Sequence, residues 1–274
     1  MWKPEHRRPA NRTGLRYPSD MSDAEWALVA PLIPPAKRGG RKRTVDVREV
    51  LNGIFYVLWT GCQWQALPKD LPPKSTVHGY FDLWDWDGTL ERIHHALYVR
   101  ERERQGREAS PSAAIVDSQT ARGAFKRGLS IDPAGYDAGK KTKGRKRHVL
   151  VDTLGLLLSV FVHSADIQDR DGVLPLLRRA RPRFPFIERV FADAGYAGEK
   201  TAKAVAATGA WAIQIVKRTD RHRFVPLPKR WIVERTLAWI SHNRRLARDF
   251  ERYARTVAAF MRLAMIRLML RRLA

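Results

Sequence analysis

Two aspartates each follow a short apolar run of the sequence. Asp117 comes directly after AAIV, and Asp193 comes directly after RVFA. Both runs are typical of buried strands, and open α/β sheets bind their ligands at the carboxyl ends of strands. A carboxylate there is costly to bury unless it is paired or binds a metal ion. The two aspartates together therefore predict a site for a shared cation.

A third acid, Glu234, lies on a predicted helix among basic residues. Arg230 precedes it by four positions, and Trp231, Leu237 and Trp239 indicate that this side of the helix is partly buried. Three carboxylates could hold hard divalent cations such as Mg²⁺, which support in-line displacement at phosphorus. Taken singly, each acid is better explained by a cap, a turn or an ion pair, as between Glu234 and Arg230.

The charge of the chain favours nucleic acid as the partner. The 274 residues include 51 Lys and Arg against 28 Asp and Glu, which gives a net charge of +23. Such a charge repels itself unless a polyanion offsets it. The cations cluster at residues 37–43, 122–148 and 217–274, as phosphate contacts require. A solubilising surface is the alternative explanation.

Several classes of site and compartment are disfavoured by what the sequence lacks. The single cysteine, Cys62, excludes an intramolecular disulfide and a cysteine-ligated zinc finger. No apolar stretch is typical of a signal peptide or a membrane span, so we expect a cytoplasmic protein without a membrane partner. No glycine-rich phosphate loop is present, so no nucleotide is expected.

The first part of the chain is predicted to be helical. Residues 1–19 form an expected basic tail, and residues 20–105 contain four amphipathic segments, the first starting with a capping box at Ser22 and Glu25. Four helices and the basic loop Lys37–Arg43 predict a small helix-turn-helix-like DNA-binding domain. A helical dimerisation or scaffold module is the alternative.

The pattern changes after residue 112, and residues 112–274 are predicted to form an α/β domain. Its order is a strand, a hairpin of two strands, a helix, a strand, a helix, a strand and long helices. This order predicts a mixed five-stranded sheet flanked by helices. Lys140–Arg147 (KKTKGRKR) is expected to be a mobile basic loop, and Lys229–Arg252 one long helix carrying Glu234.

Several motifs in a fixed order resemble bacterial insertion-sequence transposases of the DDE class, in the insertion-sequence-five family of the insertion-sequence-four-like superfamily. They are YPSDMSDAEWALVAPLIP, GCQWQALPKDLPPKSTVHGYFDLW, IVDSQT, GKKTKGRKRHVLVDTLGLLLSVFVHSADIQDRDG, VFADAGYAG and RWIVERTLAWISHNRRLARDFER. The resemblance implies an RNase H-like catalytic domain in which Asp117, Asp193 and Glu234 hold Mg²⁺, with Mn²⁺ as a substitute.

The same resemblance implies the activity and the partners. These are cleavage of double-stranded DNA at terminal inverted repeats and strand transfer into target DNA, by a nucleoid-associated homodimer or larger assembly. Two alternatives remain open at this point. One is a catalytically inactive, repressor-like DNA-binding relic, and the other is an RNase H-like nuclease without strand transfer.

The predicted helix that carries Glu234 departs from the superfamily's signature of Tyr, Arg, Glu and Lys. Arg230 and Glu234 match, but Leu227 stands in place of the tyrosine and Ser241 in place of the lysine. Arg244 or Arg245 could supply the missing cation. We therefore expect the DNA phosphates to be held by Arg230, Arg244 and Arg245, with further contacts from Lys140, Lys141, Lys143 and Lys146.

Overall fold

A computed structural model describes residues 12–36, 39, 42–124, 131–209, 211–216 and 230–274 of the chain. Four helices come first, and a six-stranded sheet with four more helices follows among the described residues. The helices are α1 (Asp23–Val29), α2 (Val47–Thr60), α3 (Lys74–Trp86), α4 (Thr89–Arg104), α5 (Asp169–Ala180), α6 (Glu199–Ala206), α7 (Arg230–Ser241) and α8 (Ala254–Leu273).

Local sequence signals set the ends of the first helices. Ser22 and Glu25 form the expected capping box at the start of α1, each side chain bonding to the backbone N–H of the other. Asp46 caps α2 by accepting from the backbone N–H of Arg48. Gly61 ends α2 in the left-handed conformation at φ 71°, which a residue with a Cβ rarely adopts.

The sheet combines parallel and antiparallel strands. They are β1 (Ala113–Arg122), β2 (Gly135–Asp137), β3 (Thr142–Asp152), β4 (Leu157–Ser164), β5 (Arg189–Ala192) and β6 (Ala212–Ile215). The long strand β3 runs antiparallel to β1, and on its other side it pairs with β2 and then β4. β1, β5 and β6 are parallel neighbours. This arrangement confirms the expected α/β, RNase H-like fold, with one more strand than predicted.

The last helix, α8, joins the two parts of the chain. It packs against α1, α2 and α4 of the first part, and also against β4 and α7. Its residues are buried around most of its circumference, and Phe260 stacks on Phe81 of α3 at 4.7 Å between ring centroids. The buried apolar side chains of the helices and the sheet form one continuous core. A helix this enclosed has a structural role, because it holds the two parts of the chain together.

Two local expectations differ from the structure, and a third falls largely on residues that the structure does not describe. Arg12 and Arg16, expected in a basic tail, are ion-paired with Glu25 and Glu49 at 2.9 and 2.7 Å. The expected long helix 229–252 ends at Ser241, and residues 244–246 form a separate 3₁₀ turn. Much of the basic loop Lys37–Arg43 lies outside the described residues.

The expected mobile loop Lys140–Arg147 is largely strand. From Thr142 onward it belongs to β3, and Arg145 and Arg147 are 0% and 1% exposed. Arg145 donates to the carbonyl oxygens of Asp132, Glu251 and Arg252, and it pairs with the buried Asp249 at 3.3 Å. The basic composition suggested solvent, but the guanidinium groups are used inside the fold to hold residues 246–252.

Within the described part of the chain, no helix has the length and the apolar character that crossing a membrane would require.

Candidate active site

The register of two parallel strands places Asp117 beside Asp193. Ala113 pairs with Arg189 and Ile115 with Phe191, an offset of 76 residues. The same offset relates Asp117 to Asp193, so the two carboxylates lie at one level, just beyond the last paired residues. Neighbouring strands are about 4.8 Å apart. Both aspartates line one small cleft together with Arg230 and Val216.

The greater length of β1 explains why Asp117 lies within a strand although β5 ends at Ala192. β1 continues to Arg122 because β3 pairs with it as far as Gly144. Asp117 is therefore paired with β3 on one side, whereas on the other side the pairing with β5 has already ended. The sequence had suggested instead that Asp117 lies at the end of its strand. Asp193 follows β5 directly and begins the turn at residues 194–196.

Backbone N–H groups fix one oxygen of each aspartate. The Oδ1 of Asp117 accepts from the N–H of Ser118 at 2.7 Å, and that of Asp193 accepts from Gly195 at 2.9 Å. Burial and, to a smaller extent, the negative charge of Asp193 raise the pKa of Asp117 to about 6, although the hydrogen bond from Ser118 lowers it. The two carboxylates therefore repel each other across the cleft.

Arg230 links Glu234 to this pair. Its guanidinium lies 3.6 Å from Oδ2 of Asp193 and 3.1 Å from Oε1 of Glu234. The Glu234 side chain is 57% exposed, and Trp231 beside it is 47% exposed, so this side of α7 is more open than predicted. Among the described residues, no three Asp, Glu, His or Cys side chains converge closely enough to hold a metal ion together. The predicted set of three is thus connected through an arginine.

A buried polar layer, unforeseen from the sequence, supports the two aspartates from below. Ser118 donates to Asp169 at 2.9 Å, and Lys146 pairs with the same carboxylate at 2.9 Å. On the same side, the hydroxyl of Tyr196 lies 3.3 Å from His148. Burial lowers the pKa of His148 to about 3, so this imidazole is neutral. The layer holds the backbone on both sides of the cleft.

The predicted DNA-binding cations fall into two groups. Lys140 lies at the site, where its Nζ donates to the carbonyl of Ser118 at 3.3 Å. Lys141, Lys143 and Arg244 are exposed. Lys146 and Arg245 are only 5% and 8% exposed, and they are held by Asp169 and by Glu251. Lys146 and Arg245 are therefore held inside the fold by carboxylates, and their contact with DNA stays a prediction.

Comparison with known proteins shows which families the chain is similar to. Residues 108–269, more than half of the chain, match the family model "Transposase DDE domain". Residues 21–94 match a second model, "Putative transposase of IS4/5 family". The first match covers the sheet, both aspartates and Glu234, and the second covers most of the helical part.

Two curated relatives come from Burkholderia cepacia. The "Putative transposase for insertion sequence element IS402" is 35% identical over 127 residues, which are 44% of this chain and 60% of the relative. The "Insertion element IS402 uncharacterized 16.2 kDa protein" is 34% identical over 108 residues, which are 37% of this chain and 72% of the relative. The chain thus spans about three fifths of the length of the first relative.

Proposed function

Because this chain belongs to the transposase DDE domain family, we propose that it cleaves DNA at the ends of an insertion sequence and joins the released 3′ ends to target DNA. In this proposal Asp117, Asp193 and Glu234 are the catalytic carboxylates. The observation that carries it is the shared level of Asp117 and Asp193 on parallel strands, with Glu234 tied to Asp193 through Arg230.

The donor set of the cleft fits a divalent cation such as Mg²⁺. Asp117 and Asp193 offer carboxylate oxygens, the ligands that Mg²⁺ prefers, and their Oδ1 atoms are already oriented by the backbone. A cation there would offset the negative charge of Asp193, which adds to the effect of burial in raising the pKa of Asp117. When bound, it supplies Lewis-acid activation of a water or a 3′-hydroxyl and stabilises the leaving oxygen. Glu234, which pairs with Arg230 here, would be the third carboxylate to hold the ion.

The basic residues around the cleft bind and orient the substrate in this proposal. Arg230 lines the cleft and Lys140 lies beside Ser118, so a DNA phosphate entering the cleft would meet two cations. Arg244, Lys141 and Lys143 are exposed and extend the cationic surface for double-stranded DNA. Joining two ends in one reaction calls for at least two copies of the chain, a homodimer or larger.

The test is cleavage of a labelled duplex that carries the terminal repeat flanking the coding sequence. Wild-type protein with Mg²⁺ is expected to nick the 3′ end of the element, and EDTA is expected to stop the reaction. Asp117→Asn and Glu234→Gln should abolish nicking while binding of the duplex persists. A substrate with a pre-cut 3′ end should yield joined products, which a nuclease without strand transfer would not give.

Glu103→Gln is the matched control, since Glu103 is an exposed helical glutamate far from the cleft in the sequence. It should nick and join like the wild type. Cleavage that survives Asp117→Asn would overturn the catalytic assignment. Salt-sensitive binding without metal-dependent cutting would instead favour the DNA-binding relic.

A further inference from the structure

A second cavity lies at the β4 edge of the sheet, away from the cleft. It has a volume of about 340 Å³ and is bounded by β4, α3, α4, α5 and the first turns of α8. β4 pairs with β3, whereas the cleft lies between β1 and β5, so the two sites do not share a strand. Nothing in the proposed strand-transfer chemistry uses this cavity.

The walls of the cavity carry an excess of positive charge. Four guanidinium groups face two carboxylates, those of Asp85 and Glu91. Glu91 already engages two of the arginines, with Arg183 and Arg262 each at 2.7 Å from one of its oxygens. Asp85 lies 4.0 Å from Arg262, and burial raises its pKa, which weakens the negative charge it contributes.

The other two arginines, Arg179 and Arg255, have no ion-pair partner among the described residues. Both side chains lie at the exposed rim of the cavity. Arg179 stacks over Phe161 with its Cζ 4.7 Å from the ring centroid, and Arg255 stacks over Tyr253 at 5.7 Å. Stacking leaves the N–H edge of a guanidinium free, and that planar fork matches the oxygens of a phosphate.

Two histidines in the wall each have one ring nitrogen that forms no hydrogen bond with any described residue. His94 is 6% exposed, and among the described residues its Nε2 has no hydrogen-bond partner; the same holds for the buried Nδ1 of His95. Burial lowers the pKa of His94 to about 3, so this ring is neutral and can still donate one hydrogen bond. A buried polar atom that borders a cavity and has no partner marks a place where a ligand or water can bind.

We propose that this cavity binds a phosphate group, with Arg179 and Arg255 as its principal ligands and the imidazole edge of His94 as an additional contact. The excess of two positive charges matches a phosphate and opposes a metal cation. The phosphate could belong to the DNA backbone or to a free phosphate or phosphomonoester. The proposal goes beyond the strand-transfer activity and stands without it.

The first experiment is calorimetric titration of the full chain with inorganic phosphate. Wild-type protein should show saturable binding of one phosphate. Arg179→Gln with Arg255→Gln should weaken binding by about tenfold or more, because two charge-assisted contacts are lost. The matched control is Arg178→Gln with Arg248→Gln, which removes the same charge from exposed arginines outside the cavity wall. It should bind phosphate like the wild type.

Two further arms separate the sources of the phosphate and the two sites. If saturating duplex DNA abolishes phosphate binding, the cavity takes the DNA backbone; if DNA leaves it unchanged, the cavity takes a free phosphate or monoester. Asp117→Asn should bind phosphate normally even if it cannot cleave. The proposal is overturned if the wild type does not bind phosphate, or if the cavity variant, folded by circular dichroism, binds as tightly as the control.

Discussion

At the scale of single residues, the fold places the two carboxylates of the cleft close enough to repel each other. Asp117 is held by a strand that is buried on the β3 side, and the register of β1 and β5 fixes Asp193 next to it. Neither backbone can move away without breaking the sheet. Burying charge next to like charge costs stability that a site without a function would not need to bear.

Replacing Asp117 by Asn should therefore stabilise the metal-free protein at neutral and alkaline pH. The folded pKa, about 6, lies above the ordinary value of 3.8, so the ionised side chain destabilises the fold above pH 6. The penalty shrinks as the pH falls from 6 toward 3.8 and is absent below. Urea unfolding in EDTA should show a gain of about 1–3 kcal/mol at pH 8 and none below pH 4. An equal gain at both pH values would contradict this origin.

A second substitution tests the arginine that ties the carboxylates together. Arg230→Gln should free Asp193 and Glu234 and tighten Mn²⁺ binding in the absence of DNA. Two partly exposed ion pairs correspond to about a two- to tenfold gain in affinity. Titration calorimetry measures it directly. Lys140→Gln is the control, because it removes a nearby charge that pairs with neither carboxylate; if both variants gain equally, Arg230 does not act through its ion pairs.

Residue spacing made part of the cleft predictable. The sequence separation of Asp117 and Asp193, 76 residues, equals the register offset of β1 and β5. The apolar run before each aspartate was therefore enough to predict that the two carboxylates lie side by side. The ion pair of Glu234 with Arg230 also followed from helical spacing. Lys146 and Arg245 could not be placed, because the type of a basic residue does not show whether a carboxylate elsewhere in the chain will bury it.

At the scale of elements, β3 shows how basic residues can be structural. Its side chains alternate between two buried faces, with Arg145 and Arg147 toward residues 246–252 and Lys146 and His148 toward α5. Composition predicted a solvated loop here. Caps and apolar periodicity predicted the helices well, because those signals are local. The groups that bind Arg145 and Arg147 of β3 lie about a hundred residues further along the chain.

Arg145→Met should destabilise the protein by about 3–5 kcal/mol, because it leaves Asp249 buried without its counter-ion. Lys143→Met, at an exposed position of the same strand, should change stability little. Chemical unfolding of both variants tests the difference. Adding Asp249→Asn to Arg145→Met should recover part of the loss, as a coupled pair requires; purely additive effects would show that the pair does not interact.

At the scale of the whole molecule, the two parts recognised from the sequence share one core. Phe260 of α8 stacks on Phe81 of α3, and Arg262 pairs with Glu91 of α4 at 2.7 Å. Arg102, at the end of α4, also pairs with Asp152 at the end of β3, where both groups are buried. The change in composition near residue 106 predicted a domain boundary. It could not show that the last helix, α8, packs against both parts of the chain.

A fragment of residues 106–274 should therefore fail to fold alone, although it contains the complete sheet and all three candidate carboxylates. Without residues 12–105, the buried face of α8 around Phe260 would be exposed to water, at a cost of about 25 cal/mol for each Å² of apolar surface. The full chain should melt in one cooperative transition by both fluorescence and circular dichroism, and the fragment in none. Co-expression with residues 1–105 should restore the transition. Cooperative melting of the fragment alone would instead show that the sheet and α8 are sufficient, and that the helical part is a separable domain.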